Sequence, residues 1–273
     1  MIEFKTNRGF IELYEHVAQP QSHAIVLVHG YCEHANSSPY VNLYNTIKVW
    51  PGVSVARYSH PGHGGSHGQL GYFNETDYVE TLKDVCSRYK TPVIIIAHSL
   101  GGLTAIRFAQ TYPLLVKQLI LIAPAVTVAN HPSEPLLKYT PKFIALPLAW
   151  GFQKLTSVMP RIPTGDENES KIGTPVQVLK FRQDVLTRGR LTVPDAMQWL
   201  SAMLKLRHQT PLNMKCTCII GTKDRYINPK QQESVVNACF RNITIYKVPF
   251  EHACVADVND IILNALNPDT IKK

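Results

Sequence analysis

Six apolar runs punctuate the chain: AIVLVHG (24–30), VSVARYS (53–59), VIIIAHS (93–99), QLILIAP (118–124), CTCIIGT (216–222) and ITIYKVP (243–249). Each is continuous rather than alternating, the pattern of a strand covered on both faces, so all six are expected as buried parallel strands. Ahead of them, IEFKT and FIELYEHVA flank Asn7-Arg8-Gly9 in short alternating runs that predict a hairpin. Between the runs the period lengthens. Residues 76–89 set Val79, Leu82, Val85, Cys86 and Tyr89 on one face at helical spacing, and residues 100–110 do the same with Leu103, Ile106 and Phe108. VADVNDIILNAL (255–266) closes the pattern as an amphipathic helix. Strands alternating with helices behind an opening hairpin predict an α/β fold with a mostly parallel central sheet flanked by helices.

Residues 126–214 break this rhythm. They hold no strand pattern, seven prolines fall between Pro132 and Pro175, and the apolar spacing is irregularly helical. The expected arrangement is a helical cap inserted over the carboxyl edge of the sheet. It divides the chain into a core of residues 1–125 and 213–273 and a cap of residues 126–212.

Composition narrows the class. The 273 residues are 45% apolar and 18% charged, with no repeat, which is a soluble globular balance. The opening MIEFKTNRGF carries Glu3 and Lys5 where a secretory signal needs an apolar stretch, and no uncharged apolar run reaches about 18 residues. A cytoplasmic protein with reduced thiols is therefore expected, and Cys216 and Cys218 fall on one face of a strand as core residues. The net charge is +8, yet Lys and Arg do not cluster among aromatics, so no nucleic-acid partner is expected.

The chemistry begins at VIIIAHSLGG (93–102), a strand running into small-x-Ser-x-Gly and then a helix. That is the pattern of a nucleophile elbow, in which residues two before and two after the serine must be small so that strand and helix can approach. Here they are Ala97 and Gly101. A serine is inert without a base, and the required partners follow in order: Asp224 in GTKDRYINP after one strand, His252 in VPFEHACV after the next. In this scheme His252 takes the Ser99 proton, and Asp224 holds the imidazole tautomer and stabilises its cation. LVHGYCEH supplies a turn whose Tyr31 N–H, with that of Leu100, is expected to form an oxyanion hole. His29, Glu33, His34, His60 and His63 alternate with turn residues instead of sharing a helical face, so they are expected to hold loops, with no metal and no cofactor.

HGYCEH (29–34), YSHPGHGGSHG (58–68), AHSLGG (97–102), GTKDRYINP (221–229) and FEHA (250–253) together resemble the monoacylglycerol lipase and lysophospholipase branch of the α/β-hydrolase superfamily. The match runs in order over nearly the whole chain. DVLTRGRLTV (184–193) also resembles the end of that family's cap, with Val185 where a proline usually stands. Two further departures are Ser59, where the family often has Asp, and His67-Gly68, where it often has Glu-Gly. The resemblance implies Ser99, Asp224 and His252 as triad, Tyr31 and Leu100 as oxyanion donors, and a single-acyl-chain lipid ester as substrate. Monoacylglycerol comes first and lysophospholipid second. The same triad also serves thioesterases, prolyl-type aminopeptidases and acyltransferases. A silent scaffold is disfavoured because every part is present.

The cap stretch 135–165 carries Lys138, Lys142, Lys154 and Arg161 and no acid among many apolar residues. Leu136, Ile144, Leu148, Trp150 and Phe152 are expected to line an acyl site, and the same basic, apolar surface suits peripheral contact with an anionic membrane. Cys32 and Cys254 are expected near the pocket because they adjoin the oxyanion turn and the histidine.

Overall fold

The expected hairpin forms from β1 (Ile2–Thr6) and β2 (Gly9–His16), with Thr6 opposite Gly9 and the Thr6 hydroxyl donating to the Gly9 carbonyl at 2.8 Å. The computed structural model describes residues 1–31, 33–127, 141, 143–144, 147–148, 150–151, 193–206 and 209–266. The six apolar runs become β3 (His23–Val28), β4 (Val53–Tyr58), β5 (Val93–His98), β6 (Val116–Ile122), β7 (Lys215–Gly221) and β8 (Ile243–Val248). All eight strands join one sheet in the order β1-β2-β4-β3-β5-β6-β7-β8. The β1–β2 and β2–β4 pairs are antiparallel, and every pairing from β4 onward is parallel.

Both faces are covered. On one face, α2 (Glu75–Cys86), α3 (Leu100–Thr111), α4 (Val193–Leu206) and α5 (Pro229–Cys239) bury Leu82, Phe108, Trp199 and Val236 against the sheet. On the other, α1 (Ser38–Ile47) and α6 (Asn259–Leu266) bury Leu43, Ile47, Ile262 and Leu266. Burying side chains of this size contributes about 1.5–3 kcal/mol each, so both helical layers are held mainly by their apolar stripes. Helix α2 begins at a reciprocal cap, in which the Asn74 side chain accepts from the Asp77 N–H and the Asp77 carboxylate accepts from the Asn74 N–H.

Strand order explains where chemistry can sit. The chain leaves β3 for β4 on one side, then crosses back to β5 on the other. Where winding reverses, the connections leave in opposite directions and open a crevice outside the carboxyl ends of the strands. The segments entering that crevice are those after β3 and β5, which hold Gly30 and Ser99.

One expectation needs correcting. Strand β8 is not buried on both faces, because it ends the sheet; Thr244, Tyr246 and Lys247 are exposed and only Val248 is fully buried. Helix α4 lies inside the span expected as cap, yet Trp199, Ala202 and Leu206 enter the same core as the sheet. Most of the expected cap, 126–212, lies outside the described residues. Cys216 and Cys218 both point into the core, as their spacing implies. Among the described residues no helix is long and apolar enough to cross a membrane.

Candidate active site

Ser99 alone connects the end of β5 to the start of α3, with φ 50° and ψ −116°. For a residue with a Cβ this is a strained conformation, of order 1–3 kcal/mol, and the surroundings must enforce it. They do so through the backbone: Ser99 N–H donates to the Ile122 carbonyl at 3.0 Å, and the Ser99 carbonyl accepts from Ala125 N–H at 2.8 Å and Gly102 N–H at 3.0 Å. The two glycines after it serve close packing. A Cβ on Gly101 would stand 2.6 Å from the carbonyl oxygens of Val28 and His29, and one on Gly102 would stand 2.6 Å from Pro124 Cβ. The Ala97 methyl, two residues before the serine, is fully buried, so the strand accommodates it there.

Asp224 and His252 arrive on loops after adjacent strands, β7 and β8, and main-chain bonds lace those loops together. Thr222 N–H donates to the Val248 carbonyl at 2.7 Å, and Lys223 N–H to the Phe250 carbonyl at 3.2 Å. The result is a continuous relay. His252 Nε2 lies 2.8 Å from Ser99 Oγ, and His252 Nδ1 lies 2.7 Å from Asp224 Oδ2. The other carboxylate oxygen of Asp224 accepts from the N–H groups of Tyr226 and Ile227, each at 2.8 Å. Burial would raise the Asp224 pKa, but the adjacent His252 and those hydrogen bonds outweigh it and hold the carboxyl below its usual range. An ionised Asp224 beside Nδ1 keeps the proton there, leaving Nε2 as the acceptor that faces the serine. Ser99 is 8% exposed.

The turn after β3 stands beside the serine. A Cβ on Gly30 would come 2.7 Å from Glu33 Oε2 and 3.1 Å from Ser99 Cβ, so only glycine fits. Gly30 N–H donates to Glu33 Oε2 at 2.7 Å, which fixes the turn that leads into Tyr31. The Tyr31 hydroxyl donates to Asp195 on α4 at 3.0 Å, and its ring meets Trp199 edge-on at 4.4 Å. Leu100 is the first residue of α3, where helix geometry leaves an N–H without an intrahelical acceptor.

The histidines of the turns hold main chain. His29 Nε2 accepts from His60 N–H at 2.9 Å, so its Nδ1 carries the proton and meets the Gly30 carbonyl at 2.7 Å. Burial and the neighbouring His60 and His63 push the His29 pKa well down, consistent with that neutral ring. Among the described residues no three His, Cys, Asp or Glu side chains are grouped to hold a metal ion. The loop that begins at Ser59 is anchored by Glu12 of β2, whose carboxylate accepts from the Ser59 hydroxyl at 2.7 Å, Gly65 N–H at 3.1 Å and Asn36 at 2.8 Å.

The three residues read from sequence as a triad thus come together, and the turn at Tyr31 adjoins them. Leu136, Phe152 and Cys32 lie outside the described residues. Ile144, Leu148 and Trp150 are exposed, at 45%, 68% and 43%. Cys254 is buried, in the apolar cluster that also holds Val255, Val258 and Ile96. Residues without an assigned role in the sequence now have contacts: Glu12, Tyr40, Asp195, Trp199 and, most of all, His98. The histidine directly before the serine was visible in AHSLGG, but its partners lie far away in the chain.

Known proteins resemble this chain in sequence and in fold. A stretch of 127 residues, 45% of this chain and 46% of the relative, is 28% identical to putative esterase/lipase 2 of Mycoplasma genitalium. A longer stretch of 217 residues, 76% of this chain and 66% of the relative, is 27% identical to mouse monoglyceride lipase. The chain therefore spans less than two thirds of either curated relative. The crystal structure of Paleococcus ferrophilus monoacylglycerol lipase superposes with a TM-score of 0.75 at 22% identity, over 94% of this chain and 98% of that one, so the α/β-hydrolase fold is shared. The family described as serine aminopeptidase, S33, matches residues 19–249, and this chain belongs to it.

Proposed function

We propose that the protein is a serine hydrolase that cleaves the carboxylic ester of single-acyl-chain lipids, monoacylglycerol foremost, through an acyl-enzyme on Ser99. The observation that carries this reading is the relay from Asp224 through His252 to a serine held in an elbow, at 2.7 and 2.8 Å. His252 Nε2 takes the Ser99 proton as Oγ attacks the ester carbonyl. Negative charge gathers on the carbonyl oxygen, where the N–H groups of Tyr31 and Leu100 receive it; each such donor is worth about 10²–10³ in rate. His252 then protonates the departing alcohol oxygen, leaving the acyl group on Ser99. Water, deprotonated by the same imidazole, releases the fatty acid and restores the serine.

The lipid part of the reading draws on the similarity to mouse monoglyceride lipase and on the apolar, acid-free stretch 135–165. Phe143, Ile144, Leu148 and Trp150 present apolar surface, and Leu136 and Phe152 belong to the same stretch. Residues of this kind can both receive an acyl chain and dip into an anionic membrane surface. A panel of monoacylglycerol, lysophosphatidylcholine, acyl-thioester and aminoacyl-arylamide substrates tests the assignment. Monoacylglycerol is expected to be turned over fastest, with activity abolished by Ser99→Ala. Preference for the arylamide would replace the ester reading with a peptidase one.

A further inference from the structure

His98, the last residue of β5, has both ring nitrogens facing acceptors. Nδ1 is 3.0 Å from Glu33 Oε2, and Nε2 is 3.0 Å from the main-chain carbonyl of His252. The same Glu33 oxygen accepts from Gly30 N–H and from the Tyr40 hydroxyl, each at 2.7 Å. An ionised carboxylate oxygen can only accept, so with Glu33 charged Nδ1 donates to it. A carbonyl has no proton to give, so Nε2 must donate too. Both bonds require a ring protonated at both nitrogens.

One charge pair, with His98 buried and Glu33 half-buried, therefore touches three parts of the site. Through Glu33 it holds the turn that carries the Tyr31 N–H, through His98 Nε2 it holds the His252 loop, and His98 is itself the residue before Ser99. We propose that His98, kept as an imidazolium by Glu33, is a positioning residue that clamps the His252 loop and the oxyanion turn to the strand carrying the nucleophile. The proposal rests on reading Ser99, Asp224 and His252 as a triad.

The other groups facing the ring agree with this state. The Tyr40 hydroxyl is 3.3 Å from Nδ1, the His252 ring is centred 5.2 Å away, and the Asp224 charge also favours the protonated ring; Cys254, a buried thiol, is near enough to feel the Glu33 charge. Burial alone would discharge His98, yet the Glu33 charge and hydrogen bond outweigh that and raise its pKa. Burial would likewise protonate Glu33, but the His98 charge and the bonds from His98 and Tyr40 hold it at about 2.

The test is a ring-nitrogen NMR spectrum of the full chain labelled with ¹⁵N-histidine, recorded at about pH 8, well above the usual histidine pKa of about 6.5. One histidine is expected with both ring nitrogens protonated, and its signals should vanish in His98→Asn. A His98 ring with one bare nitrogen at that pH would overturn the proposal, and this readout on the native protein stands even if the variant folds poorly. In Glu33→Gln, the amide keeps the shape but not the charge, so only one of the two ring bonds survives. Its kcat is expected to fall by about tenfold to a hundredfold, the scale of a displaced catalytic group, while KM stays within about threefold. Unchanged kcat, or a loss confined to KM, would overturn the positioning role. The arms separate: hydrolysis that persists in Ser99→Ala defeats the triad reading, while the His98 spectrum is unaffected by that result.

Discussion

Asp224→Asn is the substitution whose consequence the geometry fixes most tightly. An asparagine must place its oxygen and its NH₂ group at the two carboxylate positions. Oδ1 accepts from two main-chain N–H groups at 2.8 Å, so the amide oxygen belongs there. The NH₂ group then faces His252 Nδ1 across 2.7 Å and donates to it. The imidazole must move its proton to Nε2, the atom 2.8 Å from Ser99 Oγ, where it can no longer accept the serine proton. A wrong tautomer of this kind lowers kcat by about 10⁴, or about 5 kcal/mol of barrier. Shape and main-chain bonds are kept, so KM and melting temperature should hardly move. Steady-state kinetics on monoacylglycerol with a thermal melt of each variant decides the matter. A kcat loss under about a hundredfold, or a loss matched by unfolding, would refute the tautomer argument.

Gly101→Ala should destabilise by about 1–3 kcal/mol, read as a lower urea midpoint, because the new methyl meets the Val28 and His29 carbonyl oxygens at 2.6 Å. Cys254 should resist maleimide in the native protein and react after denaturation, since burial and the nearby Asp224 charge push its thiol up to about 12. Glu33 has its pKa lowered from an ordinary 4.5 to about 2. It thus contributes stability above about 4.5 that is lost as pH falls toward 2, and Glu33→Gln should flatten the acid side of the urea-midpoint profile. Leu148→Asp, an exposed position in a stretch whose sequence carries lysines and no acid, should weaken co-sedimentation with anionic vesicles; binding that ignores both this change and the anionic lipid content would remove the membrane contact from the proposal.

Much of this molecule is legible along the chain because its signals are local. Continuous apolar runs marked β3 to β7, although the patterns ran a residue or two past the strands, since the Gly, Ser and Pro that follow are part of the same buried approach to the crevice. The meeting of Ser99, His252 and Asp224 was legible for the same reason: each sits in a short motif just after a strand. β8 misled because an edge strand can carry isoleucine and valine while presenting only one side to the core. α4 was lost among the prolines before it, and its membership of the main core depends on Trp199 and Leu206 meeting residues from distant elements. The clamp around His98 was not legible at all. Its ring joins residues 65 and 154 positions away, and Tyr31 finds Asp195 across 164 positions. No periodicity encodes contacts of that range. The partner of Ser59 is equally remote, since its hydroxyl donates to Glu12, 47 positions away on β2.

Covalent chemistry at the elbow is tested most directly by stopping the reaction before water completes it. Mixed rapidly with an activated fatty-acyl ester, quenched in acid and digested, the protein should yield one peptide, VIIIAHSLGG or a fragment containing it, heavier by the acyl mass on Ser99. That species should appear in a burst and be absent from Ser99→Ala. Turnover of the ester with no acylated peptide in the burst, or with the acyl group on another residue, would contradict nucleophilic catalysis by this serine.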